Sequence, residues 1–214
     1  MLDGPRLAPL SGDRPTGVVV LVHGYGSNGD DLISLAAMIQ PSLPNLAFVA
    51  PDAPGMLPQM ANARQWWPIE SFSQVERATG AAAAAPQLDA FLDAELAMTG
   101  LKADRLLLVG FSQGTMMALQ VGLRRPDRLA GIIGISGMLV AADRLEAEIR
   151  SRPPVLLIHG TQDAVVPFRS LDLASKALDA SGVPVETHVA PGVGHSVDQT
   201  GLAAAAAFAS RVLP

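Results

Sequence analysis

The stretch RLLLVGFSQGTMMALQVGLR, residues 105–124, decides the fold. Arg105 to Phe111 is a short, nearly unbroken apolar run, the pattern of a strand buried on both faces. Gln113 to Arg124 then takes up helical period. Between them stands Gly110-Phe111-Ser112-Gln113-Gly114. A chain that passes directly from strand to helix bends so sharply that side chains at the first and last positions of the turn would clash. Glycine at both Gly110 and Gly114 removes that clash. The turn lifts Ser112 above the C-terminal edge of a sheet, where a helix N-terminus directs partial positive charge. The plain alternative is a serine N-cap between two packing glycines.

Outward from this stretch the same alternation repeats. Strand-like runs occur at Val18 to His23, Leu46 to Ala50, Ala130 to Ser136, Pro154 to His159 and Val185 to Val189. Helical periodicity occupies Asp30 to Ile39, Ala82 to Thr99, Arg169 to Ala180 and Leu202 to Arg211. Strands alternating with helices predict an α/β fold, a mostly parallel central sheet with helices on both faces, in a single domain spanning 1–214. Leu88, Phe91, Leu92 and Leu96 form one apolar helix face, and Pro86 is expected in that helix's first turn or at a kink. Val185, Thr187 and Val189 alternate with Glu186 and His188, the pattern of an edge strand with one wet face. The alanine runs at Ala81 to Ala85 and Ala203 to Ala207 read as helix surface. One connection, Asp52 to Gly80, is too long to be ordinary; it carries Trp66 and Trp67 and is expected to form a pocket wall.

Composition narrows the function. The 214 residues are 49% hydrophobic and 16% charged, which excludes disorder as the main state. A net charge of −5 argues against a nucleic-acid partner. With no cysteine, disulfides, thiolate metal sites and a cysteine nucleophile are all excluded. No apolar run approaches the length of a membrane span, and MLDGPRLAPLSGDRP has no signal-like stretch, so a cytoplasmic protein is expected.

A serine hydroxyl is a weak nucleophile near neutral pH and needs a base, which in turn needs an orienting carboxylate. Asp163 follows the strand ending at His159, in Gly160-Thr161-Gln162-Asp163. His195 follows the last strand, in Pro191-Gly192-Val193-Gly194-His195. Of the four histidines, His23 and His159 close strands and are expected to shape turns, and His188 is expected on a solvated face. His195 alone lies in a glycine-rich loop downstream of Asp163. Asp172 and Asp179 fall within a helical run on its solvent side. A turn-forming aspartate and a polar loop histidine are the plain readings of Asp163 and His195. For a developing oxyanion, the amides of Gln113 and of Tyr25, set between Gly24 and Gly26, are the expected donors. No HExxH or close cluster of histidine and carboxylates points to a metal, and no cofactor is called for.

Taken together, His23-Gly-Tyr-Gly-Ser-Asn-Gly29, Gly110-Phe-Ser-Gln-Gly114, His159-Gly-Thr-Gln-Asp-Ala-Val-Val-Pro167 and Gly192-Val-Gly-His-Ser196 resemble the α/β-hydrolase family of bacterial carboxylesterases, lysophospholipase-like enzymes and acyl-protein thioesterases. The likeness extends from about Gly17 to the C-terminus and includes Arg64-Gln65-Trp66. It implies the α/β-hydrolase fold without a large cap, since Met138 to Arg152 leaves no room for one. It also implies a triad of Ser112, Asp163 and His195, oxyanion amides from Tyr25 and Gln113, and an acyl pocket lined by Trp66, Met138 and Val165. Family members often form homodimers, which no feature of this sequence assigns. Thr115 stands where many of the thioesterases have glycine, and Tyr25 where they tend to have leucine. The expectation is therefore a serine carboxylesterase acting on short- to medium-chain acyl esters. A thioesterase or lysophospholipase with the same triad is the alternative within the family, and a non-catalytic ligand receptor the alternative outside it.

Overall fold

The computed structural model describes residues 2–71 and 73–214; Phe72, within the long connection after Asp52, and Met1 lie outside them. The strands are β1 (Arg6–Leu7), β2 (Gly17–Val22), β3 (Leu46–Val49), β4 (Gly55–Met56), β5 (Arg64–Gln65), β6 (Leu106–Phe111), β7 (Gly131–Ile135), β8 (Val155–Gly160) and β9 (Val185–Ala190). The helices are α1 (Gly29–Ile39), α2 (Gln74–Thr99), α3 (Gln113–Gly122), α4 (Leu145–Glu148), α5 (Arg169–Ala180) and α6 (Gln199–Val212), with three short 3-10 turns besides.

Seven strands form one sheet in the order β1-β3-β2-β6-β7-β8-β9. All neighbours are parallel except β1 and β3. The period of two distributes the central strands between two cores. Val18, Val20, Val22, Leu106 and Leu108 face the layer of α2, α3 and α5, while Val19, Leu21, Leu107 and Val109 face the layer of α1 and α6. Each helical layer thus buries its apolar stripe on one side of the sheet, which is why β2 and β6 read as continuous hydrophobic runs. Ser112 stands at the C-terminal end of β6, in the middle of the sheet. This is the α/β-hydrolase architecture that the motifs imply, and only the 3-10 turn Ala142–Arg144 and the single turn α4 occupy the connection from β7 to β8.

Three features differ from expectation. Helix α2 begins at Gln74, eight residues before the predicted Ala82. The Ser73 hydroxyl accepts from the Glu76 amide (3.1 Å), a cap that starts the helix early. Pro86 consequently sits in the helix interior instead of its first turn, where it leaves the Ala82 carbonyl without its usual donor. Strand β9 is an edge strand, but its alternation is blurred. Val189 is exposed and His188 half-buried because α5 packs against one face and α6 against the other. The two-residue strands β1, β4 and β5 are too short to leave a period in sequence.

Candidate active site

The turn after β6 takes the conformation that its glycines allow. Ser112 has φ 55° and ψ −114°, a strained backbone for a residue with a side chain. A Cβ on Gly110 would lie 2.3 Å from the Gly114 carbonyl oxygen, and one on Gly114 would lie 1.9 Å from that of Val22. The strain is held by hydrogen bonds. Ser112 N–H donates to Ile135 O (2.9 Å), and Thr115 Oγ1 lies 2.8 Å from both Gly110 O and Ile135 O while accepting from Ile135 N–H (2.9 Å). Thr115, the residue that departs from the thioesterase pattern, therefore ties the turn to β7.

The loops after β8 and β9 meet at this turn. Asp163 Oδ2 lies 2.8 Å from His195 Nδ1, and His195 Nε2 lies 3.0 Å from Ser112 Oγ. The three predicted side chains, far apart in sequence, thus form one continuous hydrogen-bonded line. Glycine makes the approach of the two loops feasible, since a Cβ on Gly160 would meet the Val193 carbonyl oxygen at 2.3 Å. The other carboxylate oxygen, Asp163 Oδ1, accepts from the amides of Val165 (2.9 Å) and Val166 (2.8 Å). Burial works to raise the Asp163 carboxyl, but the bonds from His195, Val166 and Val165 outweigh it and hold the group below the usual carboxylate range. With Asp163 ionised, His195 carries its proton on Nδ1 and turns a bare Nε2 toward the serine. The Phe111 ring packs on the imidazole at 5.1 Å between centroids, and Ser136 Oγ donates to Ser196 O (3.3 Å), steadying the loop that holds His195.

The turn after β2 lies against the turn that carries Ser112, for a Cβ on Gly24 would be 3.2 Å from Ser112 Cβ. Tyr25 belongs to this turn, and the Gln113 amide opens α3, where no intrahelical acceptor is available. His23 shapes the turn: its Nδ1 lies 2.7 Å from Gly24 O, and its Nε2 accepts from Ala53 N–H (2.9 Å). Because one ring nitrogen must donate and the other accept, His23 is held as one neutral tautomer, and burial lowers its pKa accordingly.

Sequence reasoning missed the side chain of Gln113, which is 2% exposed. Its Oε1 accepts from Trp66 N–H (2.9 Å) and its Nε2 donates to Trp67 O (3.0 Å), so the same residue that presents an amide at the site also clamps the long connection onto it. The signal was present, since a glutamine between Ser112 and Gly114 must be enclosed by whatever covers the turn. The indole of Trp66 donates to His23 O (3.0 Å), and a Cβ on Gly80 would strike the Trp67 ring at 2.3 Å. The three expected acyl contacts differ in exposure. Trp66 is buried, Met138 half-buried beside a small cavity behind the site, and Val165 exposed at 62% next to Asp163.

Residues 10–213 match the phospholipase/carboxylesterase family along nearly the whole chain. The chain belongs to the phospholipase/carboxylesterase family. Within it, this carboxylesterase-family protein is similar to the acyl-protein thioesterase 1 of Schizosaccharomyces pombe, at 36% identity over 160 residues covering 71% of this chain and 70% of the relative. The acyl-protein thioesterase 1 of Gibberella zeae is 28% identical over 98% of this chain and 97% of its own. Among solved structures, esterase PE8 superposes with a TM-score of 0.95 at 45% identity, covering 99% of each chain. The family and these relatives mark the chain as a hydrolase. Among the described residues no group of histidine and carboxylate side chains could hold a metal ion, and no helix is long and apolar enough to cross a membrane.

Proposed function

We propose that this enzyme is a serine carboxylesterase that works through an acyl-enzyme on Ser112. The observation that carries the reading is the unbroken line from Asp163 Oδ2 through His195 to Ser112 Oγ, at 2.8 and 3.0 Å. As Ser112 Oγ bonds to the ester carbonyl carbon, its proton passes to His195 Nε2, and Asp163 balances the imidazolium. The amides of Tyr25 and Gln113 receive the charge that develops on the carbonyl oxygen. Collapse of the tetrahedral adduct breaks the bond to the alkoxy oxygen, and His195 returns the proton to the departing alcohol. Water then repeats the sequence and releases the carboxylic acid.

Short- to medium-chain acyl groups are proposed because Gln113 and Gly80 hold the long connection down, burying both indoles instead of leaving them to line an open channel. Val165 and Met138 are the proposed acyl contacts, with Trp66 closing the wall from behind. A second reading has a specific observation behind it, the relatives named acyl-protein thioesterase 1. The likeness to esterase PE8 over 99% of both chains favours the ester. The test is kcat/KM on oxyester and thioester substrates with the same butyryl group. We expect the oxyester to be hydrolysed at least as efficiently. A thioester preference above about tenfold would transfer the assignment to the thioesterase, and no turnover of either would overturn both.

A further inference from the structure

We propose that His159 is a positioning residue for this reaction, setting its Nε2–H dipole beneath the carboxylate that supports His195. The inference rests on the serine-esterase reading and adds a fourth side chain to it. His159 is the penultimate residue of β8, four residues before Asp163, and is 1% exposed. Its Nε2 lies 2.9 Å from Val166 O and 3.3 Å from Asp163 Oδ2. A carbonyl can only accept, so Nε2 carries the proton and donates it to Val166 O, and the positive end of the same N–H dipole faces the ionised Oδ2.

An ionised carboxylate offers about four acceptor positions. Val165 and Val166 amides occupy two on Oδ1, and His195 occupies one on Oδ2. His159 Nε2 stands 3.3 Å from that same Oδ2, on a side chain wholly removed from solvent, so its dipole acts on the oxygen unscreened. The contacts also close a circuit. Val166 gives its amide to Asp163 and takes the proton of His159, so the imidazole, the Val166 peptide and the carboxylate brace one another. Phe168 packs edge-on against the ring at 6.1 Å, limiting its rotation. The titratable groups facing His159 are Asp163 and, across it, His195. Its other walls, Thr115, Leu119, Met138, Leu171 and Ala174 around a cavity of about 10 Å³, carry none.

A purely structural His159 would satisfy Val166 O and do nothing more. A positioning His159 also sets how much of its charge Oδ2 presents to His195. When that dipole is lost, the oxygen turns more of its charge toward Nδ1–H and favours the protonated imidazole, which is inactive as a base.

The experiment compares wild type, His159→Leu and His159→Gln by kcat, KM and the pH profile of kcat/KM on p-nitrophenyl butyrate, with folding checked by circular dichroism and thermal midpoint. Gln reaches with an amide Nε2 to where the imidazole Nε2 lies; Leu fills space without a donor. His159→Leu should lose on the order of tenfold in kcat with KM within about twofold, and its acid limb should move up by about half a pH unit. His159→Gln should recover both to within about threefold of wild type. Equal losses in the two variants, or an unmoved acid limb in His159→Leu, would overturn the inference. If His159→Leu does not fold, an impaired but folded His159→Gln with an unmoved acid limb would overturn it equally, and a Gln variant near wild type would sustain it. A wild-type enzyme without turnover would refute the esterase reading itself, a separate result.

Discussion

Replacing Gln113 with leucine tests whether one side chain couples the long connection to the turn that carries Ser112. The amide of Gln113 is buried and makes two hydrogen bonds, to Trp66 N–H and to Trp67 O. Leucine has similar bulk and no polar atom, so both backbone groups lose their partner. A buried unsatisfied group costs about 1–3 kcal/mol, giving about 2–6 kcal/mol if nothing moves. The connection can lift to admit water, which bounds the loss from above, and about 2–4 kcal/mol is the expected result. For a chain of this length that lowers the thermal midpoint by roughly 4–16 °C. Trp66 and Trp67 are the only tryptophans, so urea unfolding followed by their fluorescence reads the clamped segment directly. A red-shifted native emission together with a reduced ΔG is expected. A ΔG within about 0.5 kcal/mol of wild type and an unshifted spectrum would refute the clamp.

Gly114→Ala sets a methyl 1.9 Å from the Val22 carbonyl oxygen, between two backbone segments that cannot yield, so little folded protein is expected from expression trials. His23 is held neutral by burial, so below about pH 6.5 the unfolded chain takes up a proton that the folded one resists. Stability therefore falls with acidification through this window by up to about 1.4 kcal/mol per pH unit, and His23→Gln should flatten that slope in urea titrations between pH 5 and 7. The depressed Asp163 carboxyl is linked in the same direction, in a window at lower pH. Its contribution is complete above about pH 4 and is lost as pH falls through the lower folded value. At neutral pH Asp163→Asn should lower kcat on the order of 10³–10⁴-fold with the fold retained, because an amide donor in place of Oδ2 would favour the wrong tautomer of His195.

How far the sequence carried this picture depended on the range of the forces involved. The parallel sheet was legible because β2, β6, β7 and β8 are buried on both faces and so, His159 apart, carry no polar side chain. The positions of Ser112, Asp163 and His195 at the ends of their strands followed from chain order and glycine spacing. The start of α2 was missed because the alanine run drew attention away from Ser73 and Glu76, whose cap sets the boundary. The strand Arg6–Leu7 owes its existence to pairing with Phe48 and Val49, a long-range contact with no local trace. The family resemblance names Trp66 as an acyl-pocket residue, but what its indole bonds to has no trace in the sequence. Its N–H satisfies the His23 carbonyl in the core. The histidine of the His159-to-Asp163 segment was visible, but that its Nε2 reaches the carboxylate is a matter of ångströms that spacing does not encode.

The central claim is that Ser112 becomes acylated. Single-turnover reaction with p-nitrophenyl butyrate, quenched in acid and followed by intact mass and peptide mapping, tests it most directly. The account predicts one butyryl group per chain on the peptide containing Ser112, formed at the rate of the p-nitrophenol burst and absent from Ser112→Ala. Turnover that persists in Ser112→Ala, or an adduct mapped to another residue, would contradict it.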